Sequence, residues 1–466
     1  MNDFLAALVD RVDAARIITD AEVVTRYSHD DAEWADYVSP SAVVCAESLD
    51  DVVATVRCAA EYGVAVVPRG AGTGLSGGAN AVAGCVVLSL ERMTAITEVN
   101  PDERYVVAEA GVLNDELRRH VADFGLWYPP DPASYRISTI GGNVATNAGG
   151  ICCVKYGVTR DYVLGMTVVL ADGRVARLGR KTAKGVTGFD LTGLMVGSEG
   201  ALGVIVDVTL SLRPLSGREE RGVVGYFSSL TDAGAAVSAV SKAGIVPSAL
   251  ELIDRTCLRA VAQWQEWDVP ADAAALLLAA VDEPGAIGAG HASVIARLFG
   301  DAGATRVERA DDAAAMEQLF LARRLAYPAL ERLGPVLTED VCVPRAAVPE
   351  MLARIEATAM EHEVTIANIA HAGDGNLHPL IIAPVGDDAA KARAMRAFDR
   401  IVSDCRELGG TVTGEHGVGL LKLDGAREEL SEVVLDMHGA IKHALDPRDL
   451  MNPGKAFPRD KKVSHQ

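Results

Sequence analysis

The sequence is poor in basic residues, and this shortage excludes one broad class of function. Lysine and arginine together number 44 against 64 aspartates and glutamates, so the 466-residue chain has a formal net charge of −20. A protein that binds phosphodiester backbones needs a basic patch or stripe on its surface. We therefore expect no nucleic acid among the partners of this protein.

Signals for export or membrane insertion are also missing. The N-terminal stretch MNDFLAALVDRVDAARI contains acidic residues and lacks the basic start and the small-residue cleavage site of a signal peptide. The longest apolar run, AAALLLAAV at residues 273–281, is about half of the ~20 residues that a membrane-spanning helix needs. We expect a cytoplasmic protein with no transmembrane segment, and peripheral association with a membrane stays open.

The 8 cysteines include no Cys-x-x-Cys pair. This spacing argues against a disulfide scaffold and against an iron–sulfur cluster held by this chain alone. Most of the cysteines are expected to be small buried hydrophobic side chains.

Glycine is abundant, and its first cluster raises a question about cofactors. The stretch VVPRGAGTGLSGGAN (66–80) contains Gly-x-Gly-x-x-Gly. An NAD-binding fingerprint must open a helix, whereas the order here is helix, strand, loop and strand, so this stretch lacks the context of such a fingerprint. The loop can still offer backbone N–H groups to phosphates, with help from Arg69 and Ser76. A plain hairpin loop is the alternative.

Two further glycine-rich stretches lie in the first 215 residues. They are PPDPASYRISTIGGNVATNAGG (129–150) and GFDLTGLMVGSEGALGVI (188–205). Long loops without regular structure are usually functional, so the three loops together predict one extended ligand held mainly by backbone groups. Beyond Pro214 the composition changes to alanine-rich helices and short strands, which predicts a second α+β domain.

A histidine pair in the second half of the chain is typical of a metal site. VTIANIAHAGDGNLHPLII (364–382) predicts a hairpin with His371 and His378 as near-opposite partners at the edges of its turn. The stretch GGTVTGEHGVG adds Glu415 as a third, anionic ligand and His416 as a neighbouring base. Two histidines and one glutamate with an open position are typical of a catalytic metal centre, whereas a lone histidine is more often structural.

Arg323 and Arg324 lie in the helical stretch MEQLFLARRLAYPALERLG. Two interpretations stay open at this point: a solvated charged face, or a clamp in which a guanidinium pairs with a substrate carboxylate.

Six motifs in a fixed order resemble those of one family: PRGAGTGLSGG, TIGGNVATNAGG, GLMVGSEGALG, HAGDGNLHP, TGEHGVG and MNPGK. The family is that of the FAD-linked D-2-hydroxy acid dehydrogenases, which includes D-lactate dehydrogenase, the flavin subunit of glycolate oxidase and D-2-hydroxyglutarate dehydrogenase. It belongs to the vanillyl-alcohol oxidase superfamily. The resemblance covers roughly residues 39–455.

The resemblance implies an α+β fold with three parts. Residues 1–215 would form an FAD-binding domain of the p-cresol methylhydroxylase (PCMH) type, built from two α+β subdomains. Residues 216–425 would form an α+β substrate-binding cap domain with an antiparallel sheet and the metal site. Residues 426–466 would be a C-terminal segment that packs back on the FAD-binding domain.

The resemblance also implies the site residues. Those matching the loop that holds the FAD pyrophosphate are Arg69, Gly70, Gly72, Thr73, Gly74 and Leu75. Those matching the stretch along the flavin and its ribityl chain are Asp131, Ser134, Thr139, Gly142, Asn143, Asn147, Ala148 and Gly149. Glu199 and Ile205 match positions near the adenine, and Asn452 matches the C-terminal return to the flavin. The metal, usually zinc, would be held by His371, His378 and Glu415, with His416 as the base and Arg323 on the substrate carboxylate.

The implied activity is oxidation of a D-2-hydroxy acid to the 2-oxo acid, with hydride transfer to flavin N5. Electrons would pass to an acceptor other than oxygen: a quinone, a cytochrome or an electron-transfer flavoprotein. The FAD is expected to be non-covalent, because no histidine or cysteine in the flavin loops is clearly placed for attachment. A homodimer is allowed.

The sequence departs from the D-2-hydroxyglutarate enzymes at two positions. Thr338 stands where they carry a lysine for the distal carboxylate, and Leu380 where they carry an asparagine. This difference favours lactate, glycolate or a larger apolar 2-hydroxy acid. D-2-hydroxyglutarate dehydrogenase, and a flavin subunit that is active only within a complex, remain as alternatives. An NAD-dependent dehydrogenase or a zinc hydrolase without flavin is a further alternative.

Overall fold

A computed structural model describes residues 1–458 except 33, 216, 266–267, 311 and 385. The chain folds as two compact units, each described on its own below. The first unit contains Met1–Gly149, Val158–Ser216 and Glu415–Gln466, and the second contains Gly150–Gly157 and Gly217–Gly414. The C-terminal segment thus belongs to the same unit as the N-terminal half.

Helices and strands alternate irregularly along the chain. The helices are α1 (Asn2–Val9), α2 (Ala21–Val24), α3 (Leu49–Tyr62), α4 (Asn114–Ala122), α5 (Ile140–Thr146), α6 (Cys153–Tyr156), α7 (Leu191–Met195), α8 (Leu230–Lys242), α9 (Arg255–Trp264), α10 (Gly285–Asp301), α11 (Ala313–Glu331), α12 (Val348–Glu361), α13 (Asp388–Glu407), α14 (Leu423–Glu429) and α15 (Glu432–Leu445). The strands are β1 (Ile17–Ile18), β2 (Ala42–Cys45), β3 (Val66–Arg69), β4 (Val86–Ser89), β5 (Ile96–Asn100), β6 (Tyr105–Glu109), β7 (Leu126–Trp127), β8 (Val163–Val169), β9 (Val175–Gly179), β10 (Val204–Ser211), β11 (Arg213–Pro214), β12 (Arg221–Phe227), β13 (Ala249–Asp254), β14 (Ala275–Val281), β15 (Ala304–Ala310), β16 (Val336–Thr338), β17 (Val341–Cys342), β18 (Thr365–His371) and β19 (Asn376–Ile382).

The first unit contains two main sheets. One has four strands in the order β1-β2-β4-β3, and the other has five antiparallel strands in the order β5-β6-β10-β8-β9. The predicted helix before the glycine loop is confirmed as α3. The Ser48 side chain accepts a hydrogen bond from the Asp51 N–H at its start, and Gly63 ends it in the left-handed conformation. Its apolar face packs on the core formed with β2, β3 and β4.

The glycine loop between β3 and β4 is not a hairpin loop. The two strands are parallel, with Val66 opposite Val86 and Arg69 opposite Ser89. A tight turn joins only antiparallel strands, so a parallel pair needs a longer crossover, and here residues 70–85 provide it. The hairpin alternative was therefore wrong, and the loop has to run from one end of the sheet back to the other.

Lys442 anchors the C-terminal segment of the first unit. Its ammonium, almost fully buried, donates to the Asp446 carboxylate at 2.6 Å and to the carbonyls of Ala201 and Met451 at 2.7 Å each. Asp446 in turn accepts the Met451 N–H at 2.7 Å. Met451 thereby forms a parallel bridge with Val66 of β3, the strand that leads into the glycine loop.

The second unit is built on one antiparallel sheet. Its strand order is β15-β12-β14-β13-β18-β19-β16, and β17 also pairs with β19. Helices α9 and α11 pack on one face, where Leu258 and Ala326 meet Ile253, Ile369 and Leu380 in a buried cluster. No helix in the described part of the chain has the length and apolarity of a membrane span.

Replacing Lys442 with methionine should destabilise the first unit. The substitution keeps the length of the side chain but leaves the Asp446 carboxylate and two carbonyls without their donor, so we expect a loss of about 3–5 kcal/mol in the free energy of unfolding. Denaturant titration measures this loss. Lys242→Met, at an exposed position in α8, is the control and should change stability by no more than about 0.5 kcal/mol. Equal effects of the two substitutions would contradict the assignment.

Candidate active site

The glycine loop of the first unit keeps a row of backbone donors open. Within the described residues, none of the N–H groups of residues 71–78 donates a hydrogen bond to another part of the protein. Gly72 and Gly77 have φ angles of +76° and +79°, which favour glycine. Residues 76 and 77 are buried and the others in this row are half-buried. Such a row of open donors can form a cradle for an anionic ligand such as a phosphate.

The Arg69 guanidinium packs against the glycine loop. A Cβ atom at Gly72 would lie 1.9 Å from the Arg69 Nη2, and the Nη1 donates to the His29 carbonyl at 2.8 Å. The arginine therefore links the loop to the segment that contains His29. Gly74 is likewise closely packed, with the Asp30 carboxylate 2.9 Å from where its Cβ would be. Contact of Arg69 or Gly74 with a pyrophosphate stays a prediction.

The second predicted loop meets the first at one point. A Cβ at Gly70 would lie 2.2 Å from the Thr139 Oγ1, so only glycine allows this approach. Thr139 caps α5 by accepting the Gly142 N–H at 3.3 Å. Asn143 is tied through its side chain to Asn114 and Ser138. The structure thus brings residues 70–78 and 139–149 together within the first unit.

Glu199 binds a neighbouring segment of the first unit through its side chain. Its buried carboxylate accepts the N–H groups of Val418 and Gly419 at 2.8 Å each. Burial raises the pKa of Glu199 to about 7, although these two hydrogen bonds lower it. In this structure the side chain therefore holds residues 417–419, and direct contact with an adenine stays a prediction.

The stretch with Glu415 and His416 also packs against the glycine loops. The Ser76 hydroxyl donates to the carbonyls of His416 at 3.1 Å and Gly417 at 2.8 Å. A Cβ at Gly149 would lie 2.2 Å from the Glu415 Oε2. The His416 Nε2 lies 3.8 Å from the Glu415 Oε1, and both side chains are 14% exposed. The first unit therefore places the predicted base and the predicted anionic ligand beside two of the predicted cofactor loops.

The predicted C-terminal contact reaches the same loops. The Asn452 side-chain amide donates to the carbonyls of Gly78 at 2.8 Å and Glu199 at 2.6 Å, and its oxygen accepts from the Lys455 ammonium at 2.8 Å. Lys455 also donates to the carbonyls of Gly78 and Asn80. These bonds fix Gly78, the last residue of the glycine cradle. Sequence reasoning did not assign a role to Lys455, although it lies in the quoted motif MNPGK.

Three other predicted cofactor residues have less distinctive surroundings. Ile205 is buried in β10, and Asp131 and Ser134 are half-buried in the segment before α5. The Ser134 carbonyl accepts the N–H groups of Ile137 and Ser138 at 2.8 Å each. The roles of these three residues at a flavin stay predictions.

In the second unit, the predicted hairpin is confirmed as β18 and β19. His371 ends β18 opposite Asn376, whereas His378 lies further along β19 opposite Ile369. The two histidines are therefore diagonal neighbours on one face and not near-opposite partners. Their ring centroids lie 5.2 Å apart, and their ligand nitrogens lie within 4.8 Å of each other. This spacing fits two imidazoles on one metal ion.

A residue that sequence reasoning missed lies next to this pair. Glu251 of β13 is directly opposite His371, and its carboxylate contacts the His371 Nδ1 and the Arg323 Nε at 2.8 Å each. The side chain is 1% exposed. Burial alone would raise the pKa of Glu251, but His371 and Arg323 hold it below its usual value. The solvated-face interpretation therefore fails for Arg323 and fits only the exposed Arg324.

A second buried carboxylate, that of Asp340, lies next to the His378 ring. The Asp340 Oδ1 is 3.6 Å from the His378 Nδ1. The Oδ2 accepts the Thr413 hydroxyl at 2.8 Å and the Gly414 N–H at 2.9 Å. Gly414 directly precedes Glu415 in the chain. Asp340 therefore fixes the segment that leads to the predicted third ligand.

The raised pKa of Glu199 gives stability a defined pH dependence. The folded protein keeps a proton on this carboxyl up to about pH 7, whereas the unfolded chain releases it near its usual pKa of about 4.3. Its contribution to stability is therefore full in acid and is lost as the pH rises from about 4 to 7. We expect the stability of wild-type protein relative to Glu199→Gln to fall by about 3 kcal/mol between pH 4.5 and 8.

Urea titrations at several pH values measure this difference. Glu116→Gln, at an exposed position, is the control and should show a difference that does not vary with pH. A difference that grows as the pH rises would mean that the Glu199 carboxylate is stabilised in its charged form, contrary to the prediction.

Two protein-family models match the chain. An FAD binding domain model matches residues 40–179, and a model for the C-terminal domain of FAD-linked oxidases matches residues 218–456. The chain is 37% identical to the glycolate oxidase subunit GlcD of Bacillus subtilis, over 90% of each chain. It is 33% identical to the D-lactate dehydrogenase of Anaerostipes hadrus, over 94% of each chain.

Solved structures confirm the predicted fold class. 4-Ethylphenol oxidase from Gulosibacter chungangensis superposes with a TM-score of 0.79 at 19% identity, covering 99% of this chain and 98% of that one. p-Cresol methylhydroxylase superposes with a TM-score of 0.78 at 17% identity, covering 98% and 97%. The α+β fold is therefore of the PCMH type, and its donor-rich glycine cradle fits the phosphates of FAD. The chain belongs to the FAD-linked oxidase family and is an FAD-linked oxidoreductase of the glycolate oxidase and D-lactate dehydrogenase type.

Proposed function

We propose that this protein oxidises a small D-2-hydroxy acid, such as D-lactate or glycolate, to the 2-oxo acid. The observation that carries the proposal is the cluster in the second unit, where one buried carboxylate contacts His371 and Arg323, and where the His378 ring lies 5.2 Å from that of His371. A guanidinium and two imidazoles at this spacing fit a substrate that has both a carboxylate and a metal-binding hydroxyl.

Three residues would hold a divalent metal, of which zinc fits the donors best: His371, His378 and Glu415. The donor set supports this role, because two neutral imidazoles and one carboxylate leave an open position for substrate. Asp340 fixes Gly414, and so limits the freedom of Glu415 one residue later. When bound, FAD supplies the hydride acceptor and the metal a Lewis acid that lowers the pKa of the substrate hydroxyl.

The side chains of this protein bind the acid and remove its proton. Arg323 would pair with the substrate carboxylate through its terminal nitrogens, since its Nε is already engaged by Glu251. His416 would accept the hydroxyl proton as C2 loses hydride. Ser76 donates to the His416 carbonyl and so limits the freedom of the backbone that carries this imidazole.

The surroundings of His378 support a substrate without a second carboxylate. Leu380 lies two residues further along β19, on the same face, and its cross-strand partner is Thr338 of β16. Both are buried, and neither side chain carries a charge. A distal carboxylate placed here would be desolvated without a cationic partner, which disfavours D-2-hydroxyglutarate.

The electron acceptor is a further part of the proposal. We place the protein with the dehydrogenases, which reduce a quinone, a cytochrome or an electron-transfer flavoprotein instead of oxygen. One relative is named as a subunit of glycolate oxidase, so a protein that is active only within a complex is the second candidate.

Anaerobic mixing with hydroxy acids tests the reaction itself. We expect D-lactate or glycolate to bleach the flavin absorbance of the purified protein, with little effect from L-lactate or D-2-hydroxyglutarate. An artificial dye should then reoxidise the flavin and sustain turnover. Bleaching without dye turnover would favour the complex. A flavin that no hydroxy acid of either hand bleaches would contradict the proposal.

Removal of the metal tests whether metal binding and FAD binding are independent of each other. His378→Ala, or treatment with a chelator, should lower turnover at least a hundredfold, since the hydroxyl pKa is no longer lowered, and should leave FAD bound. The measurements are dye reduction, zinc content and the flavin spectrum. His120→Ala, at an exposed position of α4, is the control and should keep all three at wild-type values. Loss of FAD together with the metal would contradict the division of roles.

A further inference from the structure

Glu251 is placed to act on two functional groups at once. Its Oε1 contacts the His371 Nδ1 and its Oε2 contacts the Arg323 Nε, each at 2.8 Å. One carboxylate thus uses its two oxygens for two different partners. His371 comes from β18 and Arg323 from α11, so Glu251 joins a strand and a helix that lie far apart in sequence.

The strand register makes this arrangement rigid. Glu251 is in the middle of β13 and directly opposite His371, within a continuous ladder that also pairs Ile253 with Ile369. All six residues of β13 are buried. A buried, two-sided ion cluster has no water to replace a lost partner, so its members hold one another in a fixed geometry.

The contact with Glu251 decides how His371 presents its nitrogens. A carboxylate accepts hydrogen bonds and does not donate them, so the His371 Nδ1 must carry the proton. In a neutral imidazole the Nε2 is then left with its lone pair. A metal ligand of this kind needs one deprotonated ring nitrogen that points at the ion, and the partner on the other nitrogen selects it.

The same carboxylate decides which edge of Arg323 is available. The Nε is engaged by Glu251, so the edge formed by the two terminal nitrogens is left for an incoming carboxylate. That edge offers two parallel donors at the spacing of a carboxylate group.

We propose that Glu251 is a positioning residue that couples the metal ligand His371 to the substrate-binding Arg323. This inference rests on the roles proposed above for these two residues. It assigns to Glu251 no contact with the substrate or the metal: the carboxylate acts through its two partners.

Glu251→Gln is the most informative substitution. Glutamine keeps the shape, and its oxygen can still accept from Arg323, but its amide nitrogen then points a donor at the His371 Nδ1. The imidazole must respond by moving its proton to Nε2, which removes the ligand lone pair. We expect zinc affinity to weaken at least tenfold and KM for the hydroxy acid to rise, while the affinity for FAD is unchanged.

Three measurements on the FAD-containing protein test the positioning role of Glu251. Zinc titration gives the metal affinity without any substrate. The ¹⁵N chemical shifts of His371 in metal-free protein report its tautomer, which should have the proton on Nδ1 in the wild type and on Nε2 in the variant. Steady-state kinetics separate KM from kcat.

Asp254→Asn is the matched control. Asp254 ends the same strand, is also buried, and accepts hydrogen bonds from Cys257 and Asn368 and from neither proposed site residue. We expect it to lower stability without changing zinc affinity or the tautomer of His371. Glu251→Asp, which can reach only one of the two partners, should fall between the wild type and Glu251→Gln. It serves as the test variant if Glu251→Gln does not fold.

The outcomes separate this proposal from the proposed function. If wild-type protein binds zinc and oxidises a hydroxy acid, but Glu251→Gln matches it in zinc affinity, tautomer and KM, the positioning role is overturned. The same holds if Asp254→Asn loses zinc to the same extent. If the wild type itself neither binds zinc nor oxidises any hydroxy acid, the proposed function fails instead.

Discussion

The first unit depends on one constraint: a run of backbone N–H groups must stay open for a ligand while the loop that carries them stays in place. In the described structure, the backbone N–H groups of residues 71–78 donate to no other part of the protein. The loop is held by its other groups: the Ser76 carbonyl accepts the N–H groups of Leu420 and Leu421, and the Ser76 hydroxyl donates to two carbonyls. Surrounding side chains add to this. Asp30 accepts the Ala79 N–H, and Asn452 and Lys455 donate to the Gly78 carbonyl.

This constraint explains why the C-terminal segment belongs to the first unit. A loop without internal hydrogen bonds is poorly ordered unless other parts of the chain fix it. Lys442 and Asp446 form a buried ion pair that sets residues 446–451 against β3. The motif MNPGK at residues 451–455 therefore serves the cradle at residues 71–78, although the two are separated by most of the sequence.

The features that the sequence predicted are those that local patterns decide. Helix α3 has its Ser48 cap and its terminal Gly63, and the hairpin of β18 and β19 has its glycine turn. The failures concern pairing at a distance. The parallel register of β3 and β4 is made by an irregular crossover that has no helical period to reveal it. The contacts of the Glu199 carboxylate with two N–H groups more than 200 residues further on were not predicted either, and its role near an adenine stays a prediction.

Glu251 was missed for a related reason, although its strand contained a signal. The strand ALELID (249–254) reads as a short apolar run broken by Glu251 and Asp254. A carboxylate in a strand buried on both faces is costly unless it is paired, so such a residue is bound to have partners or a function. The partners themselves, His371 and Arg323, become visible only when register and helix packing are known.

The buried carboxylates of Glu251 and Asp340 bear on why the proposed site is built from charged groups. Replacing a buried ion cluster by well-packed apolar residues is often neutral or stabilising, so Glu251 and Asp340 are weak evidence for stability. A charged group can supply direction, which an apolar one cannot: the Glu251 carboxylate contacts the His371 Nδ1 at 2.8 Å and so selects which nitrogen of that ring carries the proton. The Asp340 Oδ1 lies 3.6 Å from the His378 Nδ1, which is too long for a hydrogen bond, and its Oδ2 holds Thr413 and Gly414 instead. The spacing of His371 and His378 on the sheet is therefore only part of the proposed metal site, and the carboxylate that orients His371 is another part.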